Sequence, residues 1–161
     1  MFQIRTATAS DLPSLGRLGA RLVKAHHSFD RQRFMQPDDD IEAGYAWFLG
    51  TQLQVPTATV LVATNADSLV IGYAYAGIEP QSWKELRDEA GFIHDVVVDE
   101  AFEGQGLGTR LVAAAAQWLE AQGAPRVMLW TAENNQAAQR LFCSLGFRRT
   151  MIEMTRESSA R

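Results

Sequence analysis

Two neighbouring stretches carry residues whose types and spacing could do chemistry. The first is Glu103-Gly104-Gln105-Gly106-Leu107-Gly108-Thr109. Alternate glycines make a tight turn and let main-chain amides approach a ligand that a side chain would hold away. If a helix begins there, its first N–H groups have no partner within the helix, and the helix dipole adds partial positive charge. Such a place suits an anion, most naturally a pyrophosphate. The same three glycines could also do no more than turn the chain. The second stretch is His94 and Asp95, two polar residues inside the apolar run Phe92-Ile93-His94-Asp95-Val96-Val97-Val98. A polar group inside an apolar strand needs a reason. It can be a satisfied structural residue, or a base that takes a proton from a reacting group. Imidazoles ordinarily titrate near neutrality, whereas a carboxylate needs burial to raise its pKa for that work. On a regular strand, neighbours point to opposite faces, so at most one of the two should face a given site.

These residues must be held by an element on each side. Residues 92–98 are rich in β-branched side chains and apolar on both faces, which predicts a central strand. Leu107, Leu111, Val112, Ala115, Trp118 and Leu119 then recur at helical spacing. The loop between them is not a P-loop, which needs Gly-Lys-Ser/Thr where Gly108-Thr109-Arg110 stands. A dinucleotide fingerprint needs a third glycine where Thr109 stands, followed by a βαβ unit bearing an acidic residue. Only about 50 residues follow, too few for that domain.

Elsewhere the chain reads as alternating strands and helices. Residues 2–7 form a first strand. Thr8 and Asp11 have capping-box spacing. Leu12, Leu15, Leu18, Leu22 and Val23 line a helix ending near Lys24, with Gly16 and Gly19 weakening it. Residues 25–37 read as a loop. His26 and His27 are adjacent and point in different directions, without a companion ligand set, so no metal site is expected. Asp38-Asp39-Asp40 reads as acids at the N-terminus of a helix over 41–54. Strands over 57–64 and 68–78 flank a turn at 65–67. A polar connection over 79–91 carries Trp83, and a connection of that length often carries function. Gly123 and Pro125 end the helix that follows the glycine loop. A strand over 126–132, a helix capped by Asn134 or Asn135 and a closing strand over 148–155 complete the order.

At 161 residues, 47% of them hydrophobic, the chain has the size of one domain with a substantial core. A net charge of −4 argues against a nucleic-acid surface. Cys143 is the one cysteine, so no intramolecular disulfide can form, which fits a reducing cytoplasm. No apolar run is long enough to span a membrane.

Two motifs together resemble a known family. Residues 103–108 resemble the acyl-CoA loop of the GNAT superfamily of N-acetyltransferases, Gln/Arg-x-x-Gly-x-Gly/Ala after a strand. Gly106 and Gly108 match the small positions, while Glu103 stands where Gln or Arg is usual. Residues 135–147, NQAAQRLFCSLGF, resemble the family's second motif at Asn135, Ala138, Leu141, Gly146 and Phe147. The resemblance covers nearly the whole chain and implies one domain over 1–161 of α/β (α+β) class. Its mixed, mostly antiparallel sheet would be flanked by helices, with two central strands splayed like a V. It implies acetyl-CoA as co-substrate and a primary amine of a small molecule or a protein as acceptor. A catalytically inactive acyl-CoA sensor is the alternative. The resemblance places the co-substrate on Val96, Val97, Val98, Glu103, Gly104, Gln105, Gly106, Leu107, Gly108, Thr109, Asn135, Ala138 and Phe142. His94 and Asp95 are its candidate bases, and His26, Phe29, Trp47, Tyr75 and Trp83 its candidate acceptor contacts. Phe142 replaces the tyrosine that often protonates the leaving thiolate, so water does this, another group such as Tyr73 or Tyr75 substitutes, or no acid is required. No metal, nucleic acid or membrane is implied, and a homodimer is common in the family.

Overall fold

The computed structural model describes residues 1–158, and its strands form one sheet in the order β1 (Gln3–Thr6), β2 (Ala58–Thr64), β3 (Val70–Glu79), β4 (Ala90–Val98) and β5 (Val127–Leu129). The first four strands run antiparallel in succession, and β5 joins β4 in parallel. Turn chemistry sets the hairpin between β2 and β3. Asn65 Oδ1 accepts from the amides of Asp67 and Leu69 at 3.0 and 2.9 Å, the Asx geometry that reverses a chain.

Apolar spacing on the helices decides which face each one covers. α1 (Leu12–Phe29) and α2 (Ile41–Gln52) pack Leu15, Leu18 and Leu49 against Val60, Val62, Tyr73 and Val97 on one face. α3 (Leu107–Ala121) packs Leu107, Leu111, Val112, Ala115 and Leu119 against Leu61, Ile71, Ala74 and Ile93 on the other. α4 (Gln136–Ser144) follows β5 and has no fully buried residue. No helix among the described residues is long and apolar enough to cross a membrane.

The two glycines of α1 are packing residues and do not loosen the helix. A Cβ on Gly16 would lie 2.4 Å from the Glu42 carbonyl oxygen, and one on Gly19 would lie 2.0 Å from the Tyr45 ring. Their absent side chains let α2 lie directly on α1 and seat Tyr45 over the sheet. The start of α1 is pinned as its sequence implies. The Thr8 amide donates to Asp11 at 2.8 Å, and Arg5 grips both oxygens of the same carboxylate at 2.7 and 2.9 Å.

Three expectations are corrected. α1 runs on through His26 and His27 to Phe29, because no glycine or proline interrupts 20–29, and the Asp30 amide closes the last turn on His26 O. The strand expected over 126–132 pairs only over Val127–Leu129. The closing strand over 148–155 is an exposed stretch without strand pairing among the described residues. An extended segment becomes a strand only when a neighbour meets its amides and carbonyls. Among the described residues none lies beside it.

Candidate active site

The site grows from an irregularity in β4. Its register against β3 runs Ala76↔Ile93 and then Tyr75↔Asp95, so His94 is an extra residue. Such a bulge breaks the alternation of side chains. The Gly91 amide donates to Arg126 O on the β5 side, whereas the Asp99 amide donates to Ile71 O on the β3 side. On an unbroken strand, residues an even number apart would face the same neighbour; the bulge reverses this. Beyond it, residues 97 and 99 turn their main-chain groups toward β3. Those of Val96 and Val98 therefore point to the other side, where β5 has already left. The β4–β5 pairing ends at Ile93↔Leu129. Past that pair the strands part, and a V-shaped gap opens with unclaimed main-chain donors and acceptors on one wall.

The same bulge corrects the expectation that His94 and Asp95 face opposite ways. Both lie on the face covered by α1 and α2. Asp95 Oδ2 accepts from Tyr45 on α2 at 2.6 Å and from Tyr73 on β3 at 3.1 Å. His94 stacks between Tyr75 and Phe92, with ring centroids 4.8 and 5.2 Å away, and its Nε2 meets Glu79 Oε1 at 2.9 Å. Burial pushes the Asp95 carboxyl above the usual carboxylate range, against the opposing pull of the two phenol hydrogen bonds. Burial and the nearby Asp95 charge likewise raise Tyr45 and Tyr73, so both keep their protons. Asp95 Oδ1 has no partner among the described residues, yet it is not sealed from solvent. It is the acceptor that this arrangement leaves free.

Above these residues lies a cleft of about 290 Å³, bordered by α1, the α1–α2 loop, β4, the end of β5 and α4. His26, His94, Asp95, Val96, Asn135, Ala138 and Phe142 all line it. Val97 does not; it is buried beneath α1 and α2. Phe29 packs edge-on against His26 at 5.7 Å, one step back from the wall. Tyr75 stands behind His94 and gives its hydroxyl hydrogen to Gln52 at 2.8 Å; burial, with the charges of Glu79 and Asp95, raises its pKa to about 12. Trp47 and Trp83 are 72% and 84% exposed and lie outside the lining. The structure adds Tyr45, Phe34, Met35 and Trp130 to the wall. Aromatic content in α2 hinted at Tyr45; Phe34 and Met35 enter because the α1–α2 loop folds over the gap.

Val98 and the glycine loop 103–109 lie outside the cleft lining; the loop opens α3 beside it, where a Cβ on Gly108 would lie 3.5 Å from Leu141 of α4 and 3.9 Å from Val98. Gly104 and Gly106 have φ of +72° and +76°, the left-handed region glycine adopts readily, and a Cβ on either would meet nothing within 4 Å. Gly106 caps α3, and the first helical amide bond is that of Arg110 to Gly106 O. The amides of Leu107, Gly108 and Thr109 therefore have no acceptor among the described residues. Glu103 does not burden this cradle with a bare charge, because Arg21 on α1 takes its carboxylate and also reaches Glu100 at 3.2 Å. One turn earlier, Arg17 holds Asp99 at 2.7 Å and draws its carboxyl below the ordinary range. At the opposite wall, Asn135 Oδ1 caps α4 through the Ala138 amide at 3.2 Å. Asn134 instead ties α4 to α1 by donating to Phe29 O at 2.9 Å. No cluster of three or more metal-ligating side chains occurs among the described residues. The amide cradle fits a diphosphate, and the gap fits an extended arm that pairs with main chain, the two requirements of a coenzyme A thioester.

Comparison with known proteins agrees with this geometry. The model of the Acetyltransferase (GNAT) family matches residues 21–147. A mycothiol acetyltransferase of Thermomonospora curvata is 33% identical over 98 residues, 61% of this chain and 31% of that protein. An uncharacterized N-acetyltransferase of Methanocaldococcus jannaschii is 36% identical over 146 residues, 91% of this chain and 60% of that protein. The chain thus spans about a third of the first of these relatives and three fifths of the second. Among solved structures, the aminoglycoside N-acetyltransferase AAC(6')-Iy in complex with CoA superposes with a TM-score of 0.76. At 21% identity over 99% of this chain and 96% of that one, the likeness is one of fold.

Proposed function

This chain belongs to the GNAT acetyltransferase family, and from that premise we propose that it moves an acetyl group from acetyl-CoA to a primary amine. The observation that carries the reading is the end of β4–β5 pairing beside a helix N-terminus that no side chain caps, with the Asp95 carboxylate on the cleft wall. In this reading the amides of 104–109 hold the diphosphate. Val96 and Val98 pair with the arm, and Asn135, Ala138 and Phe142 close its other side. Acetyl-CoA supplies an activated thioester carbonyl. The chain supplies position and proton transfer.

The acceptor arrives as an ammonium ion, which has no lone pair. Asp95 Oδ1 faces the cleft and takes that proton, directly or through a water. Two phenol donors on Oδ2 fix the carboxylate so that Oδ1 stays turned to the cleft. His94, on the same face and tied to Glu79, passes the proton toward solvent. Neither Phe142 nor the tyrosines at 45, 73 and 75 offer a proton to the departing sulfur. Phe142 has none, Tyr45 and Tyr73 donate to Asp95, and Tyr75 donates to Gln52. Water does this work, since a thiolate is a tolerable leaving group near neutral pH. His26, Phe34, Met35 and Trp130 give the acceptor an apolar and aromatic surround. The names of the relatives support a small-molecule amine over a protein one. The single thiol and net charge of −4 support a cytoplasmic enzyme without a nucleic-acid partner, and the family resemblance supports a homodimer.

An amine panel with acetyl-CoA and a free-thiol dye tests the reading. Thiol release that depends on one class of amine supports it. Tight acetyl-CoA binding with no release from any amine would favour an acyl-CoA sensor, the reading that Phe142 favours.

A further inference from the structure

Charge inside the cleft is sparse. Among the described residues, Asp95 is the single carboxylate that lines it, and no lysine or arginine does. The charged groups on neighbouring elements are already answered. Glu79 meets His94, Glu153 takes Arg33, and Asp30 Oδ1 accepts from the amides of Gln32 and Arg33 at 3.0 and 3.2 Å. The other imidazole, His26, sets its Nδ1 against Leu22 O at 2.9 Å. A second ammonium group on a bound molecule would therefore lack a carboxylate, and a carboxylate on it would lack a cation. Either charge, left unpaired in the cleft, carries the cost of its lost hydration.

The wall away from the coenzyme arm is aromatic and apolar, and part of it is uncovered. Trp130, just past the last β4–β5 pair, is 69% exposed although it lines the cleft, and Met35 from the α1–α2 loop is 65% exposed. The Trp130 ring is braced, packing edge-on against Phe92 at 5.4 Å. Phe34 is braced too, edge-on against His26 at 4.9 Å and with the Arg33 guanidinium 5.0 Å from its ring centre. An indole and a thioether open to solvent in a cleft are apolar surface that a ligand of like character can cover. Size narrows the choice further. The cleft of about 290 Å³ must also take the end of the coenzyme arm, and a cavity of roughly 150 Å³ holds one benzene ring. That leaves room for about one ring on a short chain.

We propose that the acceptor is an aromatic monoamine: one primary ammonium group, paired with Asp95, on an otherwise uncharged body of about one ring, which Trp130 selects by covering it. This inference rests on the acetyl-transfer reading and names the acceptor class for it. Polyamines, amino sugars and amino acids with a free carboxylate are poor acceptors, since each brings charge or hydroxyl groups that the cleft leaves without partners. The selection comes from those unmet groups as much as from the ring contact.

Calorimetry on the protein loaded with coenzyme A reads acceptor binding without turnover. Four probes suffice: phenethylamine; phenylalanine, which adds a carboxylate; phenethylamine bearing an aminomethyl group on its ring, which adds an ammonium; and glucosamine, which exchanges the ring for hydroxyls. Phenethylamine should bind at least about 30-fold more tightly than each of the other three. Trp130→Ala should weaken phenethylamine by about tenfold, and Trp130→Phe should recover most of that loss, both with a native far-UV circular dichroism spectrum. Thiol release from acetyl-CoA separates the two readings. The expected order of binding with no release would remove acetyl transfer and leave the ligand class standing. Absence of phenethylamine binding, a smaller margin over any of the three, or full binding by Trp130→Ala would overturn the proposal.

Discussion

Replacing Asp95 by Asn tests the chemistry where the structure is most specific. Asn keeps the shape and an oxygen for the Tyr45 and Tyr73 hydroxyls, which now donate at 2.6 and 3.1 Å. It removes the negative charge and the ability to take a proton. A positioned base contributes roughly 100- to 10,000-fold, so turnover should fall by that factor, about 3–5.5 kcal/mol of barrier, while coenzyme A affinity stays unchanged. The pH profile gives a second reading. Burial holds the Asp95 pKa above its ordinary value, so the native enzyme should gain activity as pH rises through a range above that of a free carboxylate. The variant should lose that acid limb. Stability should move oppositely to activity. A carboxyl whose folded pKa exceeds its unfolded pKa favours the fold fully below the unfolded value, and loses that contribution as pH rises through the folded one. At neutral pH the buried carboxylate is therefore a liability, and Asp95→Asn should melt at the same or a higher temperature than the native protein, the difference shrinking toward pH 4. Turnover within tenfold of native with the acid limb intact would refute the assignment and move the base elsewhere, His94 first.

Gly19→Ala places a methyl group 2.0 Å from the Tyr45 ring; overpacking of about 1–3 kcal/mol should lower Tm by roughly 2–10 °C and depress turnover as Tyr45 is pushed off Asp95. Phe142→Tyr should leave acetyl-CoA affinity intact in calorimetry and change turnover by less than roughly tenfold, since native turnover does not depend on an acid there; a much larger gain would contradict water as the proton source. Arg5, with help from the Thr8 amide, holds Asp11 at a pKa of about 2. That carboxylate should contribute about 1–2 kcal/mol after solvent screening above its unfolded pKa near 3.9, lost as pH falls toward 2. Asp11→Asn should accordingly lower Tm at pH 7 and make little difference at pH 2.

The central strand, the glycine turn and the α3 stripe were legible because local periodicity and turn chemistry dictate them. Gly106 and Gly108 could be matched, and so could Asn135, whose cap on α4 is a local hydrogen bond. The β4 bulge was not legible, since an extra residue shows only against the neighbouring strand, and it alone puts His94 and Asp95 on one face. Gly16 and Gly19 looked like weak points of a helix because their partners, Glu42 and Tyr45, are distant in sequence. The Arg21–Glu103 pair, which answers the unexpected acid in the loop, joins residues on separate elements for the same reason. Phe34 and Met35 reach the cleft only through the path of a loop. The segment 148–155 was read as a strand from its composition, and composition says nothing about whether a neighbouring strand lies beside it.

The structure of this protein bound to coenzyme A tests the account most directly. The diphosphate should rest on the amides of 104–109, with the pantetheine arm running between β4 and β5 against the main chain of Val96 and Val98, and its sulfur should end near Asp95. A coenzyme bound away from the α3 N-terminus, or an arm lying outside the gap between the two strands, would contradict the account.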